Sequence, residues 1–247
     1  MIIAPLQDQQ LFITQHDHAH LASQLLALWR IEGLPTHPRR TELLFAAREH
    51  DNGWREVDSA PLIRPDGKPH DFMTVPTGVR WDIWHRAMAR YLESEPYATA
   101  LIVRHALRLH GSHHDDPEWA EVLDAWRRIE AELIEIHELD VDALERDYRW
   151  IRLTDVLSLT VCNRWTEPLE SAGYTARLCA DDAADTLYLD PFPLAGATTL
   201  SFSCRLLPER TYRRDSELGL ELAKARWQKR DVRIAPLEDG EPADNGV

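Results

Sequence analysis

Residues 40–54, RTELLFAAREHDNGW, contain the pattern that decides the helical part of the fold. Apolar side chains recur there at the three- and four-residue spacing of an amphipathic helix, namely Leu43, Leu44, Ala46 and Ala47. Asn52-Gly53 is a turn signal that ends the pattern, so we predict a helix over residues 40–51. His50 and Asp51 lie together at the edge of its apolar face. This adjacent pair is therefore the first candidate for a functional site.

Helical periodicity extends to both sides of this stretch. It predicts helices over residues 14–30, 81–93 and 141–165, a buried helix beginning at Pro96 in PYATALIVRHALRLH, and a helix that starts at Asp116-Pro117. Between the second and third helices, residues 58–78 are rich in Pro and Gly. A long segment without periodicity is more typical of a lid or binding loop than of a plain linker.

After residue 168 the pattern changes from helical to alternating. Strands are predicted over residues 174–179, 186–192, 198–206 and 232–235, with a short helix over residues 216–228. The predicted fold class is mainly α, a helical bundle with a small C-terminal β-rich (α+β) appendage. Residues 1–168 would form the helical domain and residues 169–236 the appendage packed on it. Residues 237–247 would be a disordered polar tail.

Composition limits the classes of partner. The chain has 42 acidic and 28 basic residues and a net charge of -14, which disfavours duplex nucleic acid and anionic membranes. No apolar run approaches the roughly 20 residues that cross a bilayer, and the N-terminus lacks signal-peptide features. Three cysteines stand far apart without a CxxC spacing. We expect a cytoplasmic protein, and the sequence leaves open whether it forms a homo-oligomer.

Further histidine and aspartate residues fall on inward faces of other helices. The helical phase places His18, His105 and Asp155 within apolar faces, whereas His16 and His20 point away from the face of His18. With the pair at the end of the second helix, four separate helices direct His or Asp towards the interior.

These inward groups predict a metal site. An unpaired buried carboxylate costs several kcal/mol, so Asp51 and Asp155 require an arginine, a protonated histidine or a metal ion. Imidazoles and carboxylates that converge from several helices are typical of a divalent-metal shell. A single inward histidine is more often a hydrogen-bonded core residue, but four coincident cases favour metal binding.

The order of these residues resembles the HD-domain superfamily over residues 14–165. Members of that superfamily are helical bundles that bind divalent metals through a His, a His-Asp doublet and a distant Asp, here His18, His50, Asp51 and Asp155. The phrases ITQHDHAHLASQL, AAREHDNGW and PLIRPDGKPHDF also resemble an uncharacterised bacterial family defined only as a domain of unknown function.

The resemblance to HD domains implies a ligand set and an activity. His18, His50, Asp51 and Asp155 would bind one divalent transition metal (Mn, Fe, Ni or Zn). Asp51 would bridge a second ion if His105 and His110 complete that site. The implied reaction is hydrolysis of a phosphate ester (a phosphomonoester, phosphodiester or nucleotide) by a metal-bound water. His50 and Asp51 would be the catalytic pair, and the substrate a small phosphorylated anion.

The sequence departs from the superfamily after the doublet. Asn52-Gly53-Trp54 stands where a Gly-Lys type sequence is common, so the usual lysine is missing. Two alternatives therefore stay open: a di-iron oxygenase built on the same ligands, and a non-catalytic sensor or binding module. Proximity in sequence offers His85, Lys68 and Arg104 as candidates for a general acid or a phosphate contact, although each also fits an ordinary surface role.

Overall fold

The computed structural model describes residues 1–181 and 184–237. In chain order its elements are β1 (Ile2–Leu6), β2 (Gln9–Ile13), α1 (Gln15–Leu28), α2 (Arg40–Glu49), α3 (Arg55–Ser59), α4 (Thr77–Ala89), α5 (Pro96–His110), α6 (Pro117–Ile136), α7 (Val141–Asn163), β3 (Leu169–Ser171), β4 (Tyr174–Cys179), β5 (Asp185–Asp190), β6 (Thr198–Pro208), α8 (Asp215–Lys224) and β7 (Gln228–Pro236). Short 3-10 turns cover Leu34–Thr36, Asn52–Trp54 and Gly111–His113.

The predicted helices are confirmed, and local capping explains where several of them begin. The Thr14 side chain accepts a hydrogen bond from the backbone N–H of Asp17 at the start of α1. Asp116 caps α6 in the same way, with proline at the first helical position. Each cap satisfies a backbone donor that has no partner inside its helix. The helix predicted over residues 81–93 starts earlier, at Thr77.

The prediction of a mainly α fold is wrong, because the structure contains a seven-stranded mixed sheet and is an α+β fold. Helices make up 51% and strands 20% of it. The strand order is β1-β2-β6-β7-β5-β4-β3, with β5 and β7 parallel and the other pairs antiparallel. The sheet is not a C-terminal appendage alone, since two of its strands precede α1.

The N-terminal hairpin was missed because its local signal is weak. Each strand has only five residues, and Pro5 interrupts the first of them. Proline is tolerated there because β1 is an edge strand, where a missing N–H breaks no ladder. The hairpin joins the sheet by pairing Leu11 with Leu206, two residues far apart in sequence. The residue pattern of a short sequence segment cannot show a pairing with a strand so far away along the chain.

One hydrophobic core runs from the helices into the sheet. Trp29 at the end of α1 is fully buried, and its ring contacts Trp150 of α7 and Tyr174 of β4, with centroids 5.6 and 5.0 Å apart. Leu178 and Leu187 on the inner sheet face belong to the same cluster as the helical core. The bundle is thereby fixed against the sheet. The predicted division of the chain at residue 168 stays a prediction.

Other sequence-based expectations concern the chain ends and the thiols. Residues 238–247 of the predicted tail lie outside the described part of the chain, while the Leu237 N–H donates to the Leu189 carbonyl over 3.0 Å. Cys162 and Cys204 are buried free thiols, and Cys179 is an exposed one. Within residues 1–181 and 184–237, no helix has both the length and the apolar character needed to span a bilayer.

Candidate metal centre

Four helices bring the predicted polar residues into the interior. His18 on α1 and His50 at the end of α2 have no solvent exposure, and His105 on α5 is 2% exposed. Asp51 and Asp155, the latter on α7, are each 7% exposed. The inward direction predicted from helical phase is confirmed for all five, because each helix turns the same face towards the core as its apolar residues.

The imidazole nitrogens and carboxylate oxygens of these residues lie within a few ångströms of one another. His18 Nε2 lies 2.8 Å from Asp51 Oδ2 and 3.9 Å from Asp155 Oδ1. His50 Nε2 lies 3.7 Å from Asp51 Oδ2 and 3.3 Å from Asp155 Oδ1. Ligands that each lie about 2.0–2.2 Å from one ion are separated by roughly 3–3.5 Å when they are neighbours around it. The ligand atoms form two overlapping triads, His18–His50–Asp51 and His50–His105–Asp155, each with atoms within 4.8 Å of one another, and His50 belongs to both.

The hydrogen bonds of His18 determine which of its nitrogens carry a hydrogen. The Ser158 hydroxyl donates to the Asp155 backbone carbonyl over 2.9 Å, which uses its only hydrogen. His18 Nδ1, 2.9 Å from the same hydroxyl oxygen, must then be the donor of that contact. His18 Nε2 lies 2.8 Å from Asp51 Oδ2, a carboxylate oxygen that only accepts, so without a metal Nε2 also carries a hydrogen. A metal ion bound at this nitrogen would take the place of that hydrogen, while Nδ1 would still be held by Ser158.

His50 is oriented in the same way by a backbone group. Its Nδ1 lies 2.8 Å from the Ala47 carbonyl, which only accepts, so Nδ1 carries a hydrogen. Its Nε2 is buried and has no hydrogen-bond partner among the described residues, although two carboxylates lie close by. A buried polar atom without a well-aligned hydrogen bond is uncommon, and this one faces the carboxylates of Asp51 and Asp155.

Electrostatics also require a positive charge at this point. Burial lowers the pKa of His50, but the charges of Asp51 and Asp155 outweigh it and raise that pKa to about 9. Burial raises the pKa of both aspartates, and the surrounding imidazoles reverse this shift, taking Asp155 to about 2. The carboxylates therefore stay ionised in the interior. Either a proton on His50 or a metal ion compensates their charge.

His105 and His110 are placed differently from each other. His105 Nε2 lies 3.7 Å from Asp155 Oδ2, and its Nδ1 is 3.2 Å from the Tyr148 hydroxyl. His110 Nε2 instead accepts a hydrogen bond from Trp84 Nε1 over 2.9 Å. Burial lowers the pKa of His110 to about 3, which keeps the ring neutral. The structure thus brings His105 to the cluster and leaves His110 one layer away from it.

A cavity of about 320 Å³ opens onto this cluster. Asp51, Asp155 and His105 line it, and Phe72 and Met73 from the Pro- and Gly-rich segment form part of its wall. A larger cavity of about 460 Å³ lies elsewhere, between α1, α3, β6 and α8, and none of the predicted ligands lines it. We place the chemistry in the smaller cavity because the buried imidazoles and carboxylates face it.

Comparison with known proteins identifies the family. A family model described as a protein of unknown function, DUF3891, matches residues 1–209. The chain belongs to the DUF3891 family. No curated protein and no solved structure matches it. The predicted likeness to a domain of unknown function is confirmed, whereas nothing in the comparisons links the chain to the HD-domain superfamily.

The three basic candidates that proximity in sequence offered do not line this cavity of the DUF3891 chain. Arg104 is held by Glu130 over 2.7 Å, and exposed Lys68 lies 3.6 Å from Glu209. These two and the exposed His85 are not among the residues that line the cavity. The cation that does line it is Arg80 on α4. A helical signal was available, because Arg80 is one turn before the buried Trp84 and shares its face.

Two more polar residues at the site escaped the sequence analysis. Ser158 orients His18 and lies three residues after Asp155, hence on the same face of α7. Gln15 lines the cavity, and its Oε1 is buried without a hydrogen-bond partner among the described residues. Its position immediately after the Thr14 cap suggested only a helix start.

The Asn52-Gly53 sequence has a structural role in this DUF3891 chain. Asn52 Nδ2 donates to the carbonyls of Glu49 and Ala87, which ties the end of α2 to α4. A side chain at Gly53 would place its Cβ 1.9 Å from the Ile83 carbonyl oxygen. Only glycine permits this close approach, and the approach brings α4 against the doublet. Packing therefore explains the Asn52-Gly53 sequence.

Proposed function

We propose that this protein is a metal-dependent hydrolase that acts on a phosphate ester, and that His18, His50, Asp51 and Asp155 bind its metal. The proposal is supported above all by the buried His50 Nε2, which lies 3.3 Å from Asp155 Oδ1 and 3.7 Å from Asp51 Oδ2 without a well-aligned hydrogen bond to either. Backbone and side-chain acceptors hold both histidines with Nε2 towards those carboxylates. Such outer hydrogen bonds are the usual means by which proteins orient metal-binding histidines.

The donor atoms suit one divalent transition metal. Two imidazole nitrogens and two carboxylate oxygens are compatible with Mn, Fe, Ni or Zn. A second ion would need His50 together with His105 and Asp155, because these three residues form the second triad of ligand atoms. His50 has one free nitrogen, and the first ion would use it. We therefore propose one ion rather than the two that an oxygen-activating di-iron centre requires.

The residues around the site suit ester hydrolysis. A divalent ion in this position would lower the pKa of a bound water and neutralise charge on a phosphoryl oxygen. Asp51 borders the cavity, so its carboxylate can accept a proton there. Trp54, Trp84 and Leu159 line the same cavity and exclude bulk water, which strengthens charge interactions inside it. Arg80 supplies a positive partner for an anionic substrate.

Metal content tests the first half of the proposal. Protein purified without chelator or affinity tag should contain about one ion per chain by mass spectrometry. His50→Gln and Asp51→Asn should each retain less than a tenth of it, and His20→Gln, a change at an exposed histidine of α1, should retain all of it. Equally low metal in the wild type and in both site variants, with native circular dichroism, would refute the metal centre.

Measurements of turnover test the second half of the proposal, which is the hydrolysis of a phosphate ester. The metal-loaded protein should hydrolyse at least one member of a panel of phosphomonoesters, phosphodiesters and nucleotides, lose that activity on chelation and recover it when metal returns. A stably bound metal without hydrolysis of any ester would instead support a sensor or binding module. Two irons per chain, a coloured protein and oxygen consumption would support an oxygenase.

A further inference from the structure

Arg80 has no acidic partner among the described residues, although it lines the same cavity as Asp51 and Asp155. The side chain is half-buried and lines the cavity that contains Asp51 and Asp155. Its Nη2 donates to the Met73 backbone carbonyl over 3.0 Å, and no described carboxylate forms an ion pair with it. A guanidinium has five N–H donors arranged to bind carboxylate or phosphate oxygens. Arg80 is therefore free to bind an anion inside the cavity.

The cavity has few other charges to offer a ligand. Arg80 is the one arginine or lysine among the described residues that line it. Three histidines also line it: His105 faces Asp155, His110 is neutral and already accepts the indole N–H of Trp84, and exposed His113 stacks on Trp119. The proposed metal would balance the charges of Asp51 and Asp155. A second anionic group on a ligand would then find no further arginine or lysine among the described lining residues, and an uncompensated charge there is costly. The charge balance therefore favours a ligand with a single anionic group.

The remaining wall suits a flat apolar body. Trp54, Phe72 and Trp84 contribute aromatic rings, and Leu109 and Leu159 contribute aliphatic surface. The Trp84 N–H is used by His110, so this ring has no donor left for a polar ligand. Aromatic rings gain about 0.5–1.5 kcal/mol from mutual stacking beyond the area they bury. A volume of about 320 Å³ accommodates one such ring next to the metal-binding residues.

We propose that the substrate of this site is a compact monoester of aryl phosphate type, whose anionic group is bound by Arg80 and whose ring packs against Trp54, Phe72 and Trp84. This inference rests on the proposed hydrolase function and narrows its substrate class. Esters with additional anionic groups, or with a small aliphatic body, are poorer ligands of the cavity.

Calorimetry with phosphonates tests the inference without turnover. Phenylphosphonate should bind the metal-loaded protein at least tenfold more tightly than methylphosphonate, which lacks the ring, and than 4-phosphonobenzoic acid, which adds a second anion. Arg80→Gln should weaken phenylphosphonate binding at least tenfold, and Arg80→Lys should restore part of the loss. Arg127→Gln removes the same charge from the exposed surface of α6 and should change binding less than twofold.

The outcomes separate this inference from the proposed function. Equal binding of the three phosphonates, or unchanged phenylphosphonate binding in Arg80→Gln, overturns the substrate class even if the protein hydrolyses esters. Arg80-dependent, ring-selective binding without hydrolysis of any ester leaves the ligand class standing and refutes the hydrolase. If Arg80→Gln does not fold, the phosphonate series on the wild type and the Arg80→Lys variant still decide the question.

Discussion

Ser158→Ala is predicted to weaken metal binding through His18, although Ser158 itself is not a ligand. The substitution removes the hydroxyl that accepts from His18 Nδ1 over 2.9 Å, inside a core where Ser158 is 1% exposed. A buried donor left without a partner costs about 1–3 kcal/mol. His18 Nδ1 then has no acceptor, and the ring is no longer held with Nε2 towards Asp51 and the metal position.

The size of this effect follows from the position of Ser158 outside the ligand shell. Loss of such a partner lowers metal affinity about 10–100-fold, or roughly 1.4–2.7 kcal/mol. Thr154→Val is a matched control, because the Thr154 hydroxyl is also buried on α7 but donates only to carbonyls of its own helix. Competition against a chromophoric chelator measures the affinity for zinc or manganese. Equal affinities of Ser158→Ala and Thr154→Val would refute the reasoning.

Three further predictions concern packing, pH and metal removal. Gly53→Ala should lose about 3 kcal/mol or more of unfolding free energy, because its Cβ meets the Ile83 carbonyl at 1.9 Å, whereas Gly78→Ala, with nothing within 4 Å, should lose none in urea titrations. Because burial lowers the folded-state pKa of His110 to about 3, against about 6.5 when unfolded, its contribution to stability is complete above pH 6.5. That contribution falls by up to about 1.4 kcal/mol per pH unit as the pH drops from 6.5 towards 3, so stability should depend less on pH in His110→Gln than in the wild type or His20→Gln. Metal at about 1,000 times its dissociation constant should add about 4 kcal/mol and raise the melting temperature by roughly 8–16 °C, and no shift on adding the metals named above would contradict the proposed centre.

The inward placement of the candidate ligands was predictable because it depends on neighbours along the chain. Each helix repeats every 3.6 residues, so the apolar residues around His18 or Asp155 show which face is buried without any knowledge of the rest of the fold. Burial of a carboxylate then requires a cation for general electrostatic reasons. Asp51 and Asp155 could be selected on that basis alone.

Relations between helices were not predictable in the same way. His110 lies in the stretch that also contains His105, yet Trp84 of another helix binds its Nε2 and keeps it away from the ligand cluster. Arg80 reaches the cavity because Gly53 allows α4 to approach the doublet closely. Both outcomes depend on how two helices pack, which the periodicity of either helix does not contain.

The sequence by itself determined the helices other than the short α3, four of the five strands after residue 168 and the buried faces that contain His and Asp, because these follow from side-chain spacing within short windows. The three-residue strand β3 was not predicted. Only the tertiary structure decided that the fold is α+β, since the hairpin Ile2–Ile13 pairs with β6 near the other end of the chain. Only the tertiary structure decided the ligand cluster as well. Its geometry is a set of distances between atoms on different helices, and only the packed core brings those atoms within a few ångströms of one another.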